Sequence, residues 1–246
     1  MKARVPRCCL HNSMKLRPFI LLFFLFPSSD LSAQDNKKII VKAGSDLRES
    51  LDKVFYQYPT FTQGIVYFKN GTATAGVLNY NLFLDEMQFI DPKSDTLSLK
   101  DEQTILYIVI GNDSFYYQQP GYILLIASNK EIKLGSKEKV EVIGKRKIGA
   151  YDQPSGAGSI SGYNTFGAGN GWRKLDIRED LYLAKKRTYY FGNSFNQFLP
   201  SIKKNLYKMF PKNEAEISTY LKEHPVDFNN QKDLEELSKF LETLER

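Results

Sequence analysis

Histidine, cysteine and paired carboxylates carry most hydrolytic, redox and metal chemistry, and this chain is poor in the first two. Its histidines are His11 and His224, and its cysteines, Cys8 and Cys9, sit side by side near the start. His224 precedes Pro225 at the end of a helical pattern, where a histidine serves the helix dipole or solvent. A Ser-His-Asp relay, a thiol nucleophile or a zinc site of the usual ligand sets has too few residues to draw on. Carboxylates remain. Asp85 and Glu86 stand before an apolar stretch, followed by Asp91, Asp95, Asp101 and Glu102. Glycan hydrolysis needs two carboxyl groups roughly 5–10 Å apart, whereas neighbours on a strand point to opposite faces. Asp85 and Glu86 therefore read as turn and edge residues, and they are the first carboxylates to test should the chain be a hydrolase. The acids from Asp91 to Glu102 lack the spacing and central glycine of an EF-hand loop, and Gly156-Ala-Gly158 and Gly167-Ala-Gly169-Asn-Gly171 match no phosphate-binding fingerprint. No cofactor or metal is expected.

Aromatic side chains are abundant, with 15 tyrosines and 17 phenylalanines. Tyr116-Tyr117 and Tyr189-Tyr190 lie in strand-like segments, and Trp172 emerges from a glycine-rich stretch. Alternation sends one ring of each pair into a core and leaves the other for a recognition face. Tyrosine suits that use because its ring stacks on sugars or seats a protein partner while its hydroxyl stays wet. Tyr116, Tyr117, Tyr189, Tyr190 and Trp172 form the candidate ligand-binding set.

The elements that position these residues are mostly strands. Asp46-Leu-Arg-Glu49 is a capping box for a short helix over Leu47, Leu51, Val54 and Phe55. Ile65–Phe68 then runs into Asn70-Gly71, a hairpin signal because both types accept positive φ, and Ala75–Tyr80 returns. Further strands are expected at Met87–Ile90, Thr96–Leu99, Thr104–Ile110, Phe115–Tyr117, Tyr122–Ala127 and Glu131–Leu134. Turn signals every 8–12 residues favour an antiparallel meander over βαβ units. Residues 144–171 hold eight of the chain's sixteen glycines and read as a flexible loop. Strand character resumes at Trp172–Ile177, Leu181–Ala184 and Thr188–Phe191. The tail is helical: Ser201, Asn213 and Asn230 are placed to cap three helices, each with one apolar stripe. The lysines Lys203, Lys204, Lys208 and Lys212 read as a solvated face of the first. The expected fold is α+β, mainly β: an antiparallel meander, small open barrel or sandwich, capped by C-terminal helices. Residues 34–199 form its β-rich domain and 200–246 its helical cap.

Residues 1–33 read as a cleaved secretory signal peptide. Lys15 and Arg17 precede the apolar run Phe19–Phe26, Pro27-Ser28-Ser29 breaks it, and Leu31-Ser32-Ala33 ends on a small residue. A run of eight is too short to span a bilayer, which takes about 18 residues. Met14 is the better start. Five basic residues and Asp30 leave with this segment, so the net charge of +6 falls to +2, 29 basic against 27 acidic. That balance does not suit a nucleic-acid binder. Both cysteines leave too, so no disulfide forms, and no cysteine follows the apolar run to carry a lipid anchor.

Two stretches carry a resemblance. Phe61-Thr-Gln-Gly-Ile-Val-Tyr-Phe-Lys-Asn-Gly71, with Leu78-Asn-Tyr-Asn81 and Asp85-Glu-Met-Gln-Phe-Ile90, is similar to uncharacterised exported β-rich proteins of Bacteroidota. So is the tail through Phe210-Pro-Lys, Tyr220-Leu-Lys and Val226-Asp-Phe-Asn229. The resemblance implies a place outside the cytoplasm and a β-rich architecture, and it carries no activity or site across. The expected protein is exported, periplasmic or extracellular, and non-enzymatic, binding a protein or glycan partner at the envelope. Two alternatives stand beside it. A carboxylate-dependent glycan hydrolase would show a concave site with two facing carboxyls, one of raised pKa. A structural subunit of an envelope assembly would leave its helical stripes uncovered.

Overall fold

The computed structural model describes residues 38–41, 53–146 and 180–244. The leader, the capping box at 46–49, Trp172 with the strand expected at 172–177, and nearly all of the glycine-rich stretch lie outside these residues.

Eleven strands form one antiparallel sheet: β1 (Ile39–Val41), β2 (Thr62–Phe68), β3 (Ala73–Asn81), β4 (Glu86–Ile90), β5 (Thr96–Ser98), β6 (Ile105–Ile110), β7 (Asp113–Tyr117), β8 (Tyr122–Ser128), β9 (Lys133–Arg146), β10 (Asp180–Gly192) and β11 (Phe198–Pro200). Their order is β1-β10-β9-β8-β7-β6-β2-β3-β4-β5, with β11 added to β10. Alternation builds most of them: in β6, Ile105, Ile108 and Ile110 are buried while Leu106, at a register shift opposite Tyr67 and Phe68, is exposed. The hairpin at Asn70-Gly71 forms, but only Gly71 takes positive φ. Asn70 instead accepts from the Thr72 backbone and hydroxyl, so the turn is longer than a two-residue one.

The sheet curls. Val41, Leu183 and Val140 from one end share a core with Val66, Leu78 and Met87 from the other. The free edge of β9 donates from Val140 N–H to the Leu82 carbonyl at 3.0 Å, just past the end of β3. The architecture is thus a curled open sheet with helices, α+β and mainly β.

Three helices follow: α1 (Lys203–Met209), α2 (Glu214–Glu223) and α3 (Gln231–Glu242). Their stripes close a second core in which Leu206, Phe210, Ile217, Leu234, Leu237 and Leu241 pack on Ile132, Leu134, Tyr189 and Phe191. The uncovered stripes that a structural subunit would show are absent from these helices. Asn230 caps α3 by accepting from Lys232 and Asp233 N–H. The other two caps differ from expectation. Ser201 donates to the Phe228 carbonyl, and Asn213 donates from its side chain to Glu216, so neither side chain holds a helix N–H. Among the described residues no helix is long and apolar enough to cross a membrane.

β9 and β10 join the two cores and depart most from the sequence reading. The segments expected at 181–184 and 188–191 are one 13-residue strand, and β9 runs 14 residues to Arg146, three residues into the stretch read as a loop. The cause is Lys185-Lys186-Arg187, opposite Val140, Lys139 and Glu138, a charged middle that looks like a break in an apolar pattern.

Candidate functional site

Register sorts the charges of β9 and β10 by face. Arg187 pairs with Glu138, Lys185 with Val140 and Tyr189 with Ser136, so these side chains share the face turned to both cores. Between the apolar ends of that face, Glu138 Oε2 accepts from Arg187 Nη2 at 2.7 Å and Nε at 3.2 Å, and Lys185 Nζ lies 3.1 Å from Oε1. Burial opposes ionisation of Glu138, but hydrogen bonds from Arg187 and Lys185 outweigh it and hold the carboxyl below its usual range.

A cavity of about 320 Å³ opens at this stripe. Tyr80, Phe115, Tyr122 and Leu124 give its apolar lining, and Gln57, Asp113, Glu138, Arg187 and Gln231 its polar one. Gln231 begins α3, so the cleft lies where sheet, ribbon and helices meet, a common place for a ligand site. Its walls are fixed. Tyr80 donates to Asp85 and accepts from Tyr122 N–H at 3.1 Å, and its ring lies 5.8 Å from that of Tyr122 and 5.9 Å from that of Phe115. Tyr58 donates to Asp113 Oδ2 at 2.6 Å. Both carboxylates of the cleft are therefore engaged acceptors. No protein family, curated protein or solved structure matches this chain. The chemistry of the cleft rests on its own side chains.

Asp85 and Glu86 diverge. Glu86 accepts from Ser98 of β5 at 2.6 Å. Asp85, buried at φ 64°, closes the curled sheet: its Oδ1 accepts from Tyr80, and its Oδ2 lies 2.8 Å from Lys137 Nζ and 3.3 Å from Lys139 Nζ. Burial pushes the Tyr80 hydroxyl far above its usual range, and the Asp85 charge adds to that. Gly121 lies against this knot at φ +82°, where a Cβ would overlap Asp85 Oδ1 and sit 2.8 Å from Tyr80 Oη. Gly121→Ala is expected to lower unfolding stability by at least about 2 kcal/mol, from left-handed strain plus displacement of the pair. Urea denaturation measures it, and an unchanged midpoint would remove Gly121 from the seam.

Glu102 is a different carboxyl. Burial raises its pKa, the Tyr122 and Tyr117 hydroxyls partly offset this, and the charges of Glu86 and Asp85 add to it. It does not line the cleft. A raised folded pKa gives stability that is full below the ordinary value of about 4.3 and is lost as pH rises through the folded one. Glu102→Gln is therefore expected to raise stability at neutral pH and to lose that advantage in acid. Denaturation at the two pH values checks the sign.

The candidate aromatics do not converge. Tyr116 is half-buried on the outer face, in a row where Tyr67 stacks on Tyr107 at 4.6 Å, Tyr107 lies 6.0 Å from Tyr116, and Tyr116 lies 5.5 Å from Phe198. Tyr67 and Tyr107 each cover one ring face of the other. Tyr117 points the other way, edge-on to Tyr122 at 5.4 Å. Tyr189 is buried in the helix-side core, and Tyr190, on the opposite face, lines a cavity beside Asp85. Trp172 is outside the described residues. The cleft residues Glu138 and Arg187 escaped the sequence reading, although opposite charges alternating at period two on paired strands are the signal that finds them.

Proposed function

We propose that this is an exported, non-catalytic sugar-binding protein of the cell envelope, and that the cleft above Glu138 and Arg187 receives the end of a glycan. Export rests on the leader at Met14–Ala33. The observation that carries the binding reading is the polar lining: amide, carboxylate and guanidinium groups that both donate and accept, set over a floor of the core residues Tyr80, Phe115 and Tyr122, each at most 2% exposed. A sugar has the same duality, with hydroxyls that each donate and accept. The cleft's size fits one or two sugar units, at the small end of ligand sites.

Binding is favoured over hydrolysis by the state of Glu138. A glycosidase acid must hold its proton near neutral pH, whereas Arg187 and Lys185 keep Glu138 ionised. Probing the purified protein against immobilised oligosaccharides tests the reading. Retention on a defined set, competed by the free sugar, is the expected result; indifference to every sugar would overturn it. Edman sequencing of the protein recovered from the native envelope fraction tests export, with a start near Gln34 expected and an intact Met14 contradicting it.

A further inference from the structure

We infer that the cavity beside Asp85 is a separate anion-binding site, built for one oxyanion such as a carboxylate, phosphate or sulfate. The alternation that sends Glu138, Lys185 and Arg187 to the face of the cleft sends Lys137, Lys139 and Lys186 to the other face, where Thr188 stands opposite Lys137 and Tyr190 follows it opposite Gly135. Those three lysines, Thr188 and Tyr190, with Asp85 and Glu141, line most of a cavity of about 240 Å³.

The charges inside it do not cancel. Asp85 is engaged at Oδ1 by Tyr80 and at Oδ2 by the charges of Lys137 and Lys139. Lys137, 11% exposed, is committed as well, to Asp85 and to the Pro120 carbonyl. Lys139 is 40% exposed and reaches Asp85 only at 3.3 Å. Lys186 is exposed and forms no ion pair among the described residues. Glu141, also exposed, is the one carboxylate of the cavity left to balance them. Two ammonium groups with spare donors, beside walls bearing the Thr188 and Tyr190 hydroxyls, are the partners a single oxyanion takes. An anion there shares Lys139 with Asp85, so its binding favours the closed seam and stabilises the folded chain by mass action. This site is independent of the sugar reading of the cleft.

Thermal unfolding in sodium phosphate, sodium glucuronate, glucose and sodium chloride at matched ionic strength tests it. The expected result is a saturable rise in Tm with phosphate or glucuronate, none with glucose or chloride, and at least about a tenfold loss of apparent affinity in Lys186→Gln. A rise with phosphate assigns the site to a free ion, and one confined to glucuronate assigns it to a carboxylate carried on a sugar. Lys186 touches neither Asp85 nor the cores, so this variant keeps the fold, and its own Tm without anion verifies that. A rise matched by chloride, or kept in full by Lys186→Gln, overturns the site.

Discussion

Replacing Asp85 by alanine is expected to lower the free energy of unfolding by about 3–5 kcal/mol, the range for breaking a buried ion pair by removing one partner. The loss is large because of what stays behind. Lys137 would keep its charge at a position only 11% exposed, with the Pro120 carbonyl as its remaining partner, and the Tyr80 hydroxyl would lose its acceptor in the core. The Leu82 carbonyl that binds Val140 N–H lies three residues from Asp85, so the seam between the two ends of the sheet loosens with it. Adding Lys137→Met to Asp85→Ala should recover a good part of the loss, because the orphaned charge leaves and an apolar chain of similar length replaces it. Urea denaturation of the three proteins at neutral pH measures this. A deficit below about 1 kcal/mol for Asp85→Ala, the range of surface pairs, would show that the seam is solvated and that Asp85 does not hold it.

Arg187→Ala is expected to weaken sugar binding by about 10- to 100-fold, the worth of one hydrogen bond to a charged group. Arg187→Lys should recover little of it. Lysine keeps the charge near Glu138 but lacks the planar fork that reaches Glu138 through Nε and Nη2 together. The two variants separate a directional contact from a field effect. Full affinity in Arg187→Lys would mean that charge alone matters, and full affinity in Arg187→Ala would place the ligand elsewhere. Gln231→Ala, which removes an amide from the helix side of the same cleft, should cost less, about three- to tenfold, the range of a neutral hydrogen bond.

Much of the fold was legible where one local rule acted alone. Asn230 and the spacing of Leu234, Leu237 and Leu241 specify α3 within a single helical period, and the structure caps and buries it as read. The hairpin at Gly71 and the short strands from β4 to β8 were legible because each is a short run bounded by turn residues. β9 and β10 were not, because each strand serves two cores and carries charged residues between them. An apolar pattern interrupted by Lys185-Lys186-Arg187 looks like two strands and a turn until the partner strand supplies Glu138. Asp85 was visible only as a turn residue. Its lysines come from a strand far along the chain, and nothing in the local sequence shows that a curled sheet will bring them together. The candidate tyrosines do not meet at one place because alternation splits each pair, a rule visible beforehand, whereas which face meets a cavity depends on the curl.

Isothermal titration calorimetry of the purified protein with short neutral oligosaccharides, followed by analysis of the recovered sugar, tests the central claim most directly. The account predicts saturable binding of one oligosaccharide per chain, lost in Arg187→Ala, with every glycosidic bond intact in the recovered sugar. No heat with any sugar, heat that Arg187→Ala leaves unchanged, or shortened sugar in the recovered material would contradict it.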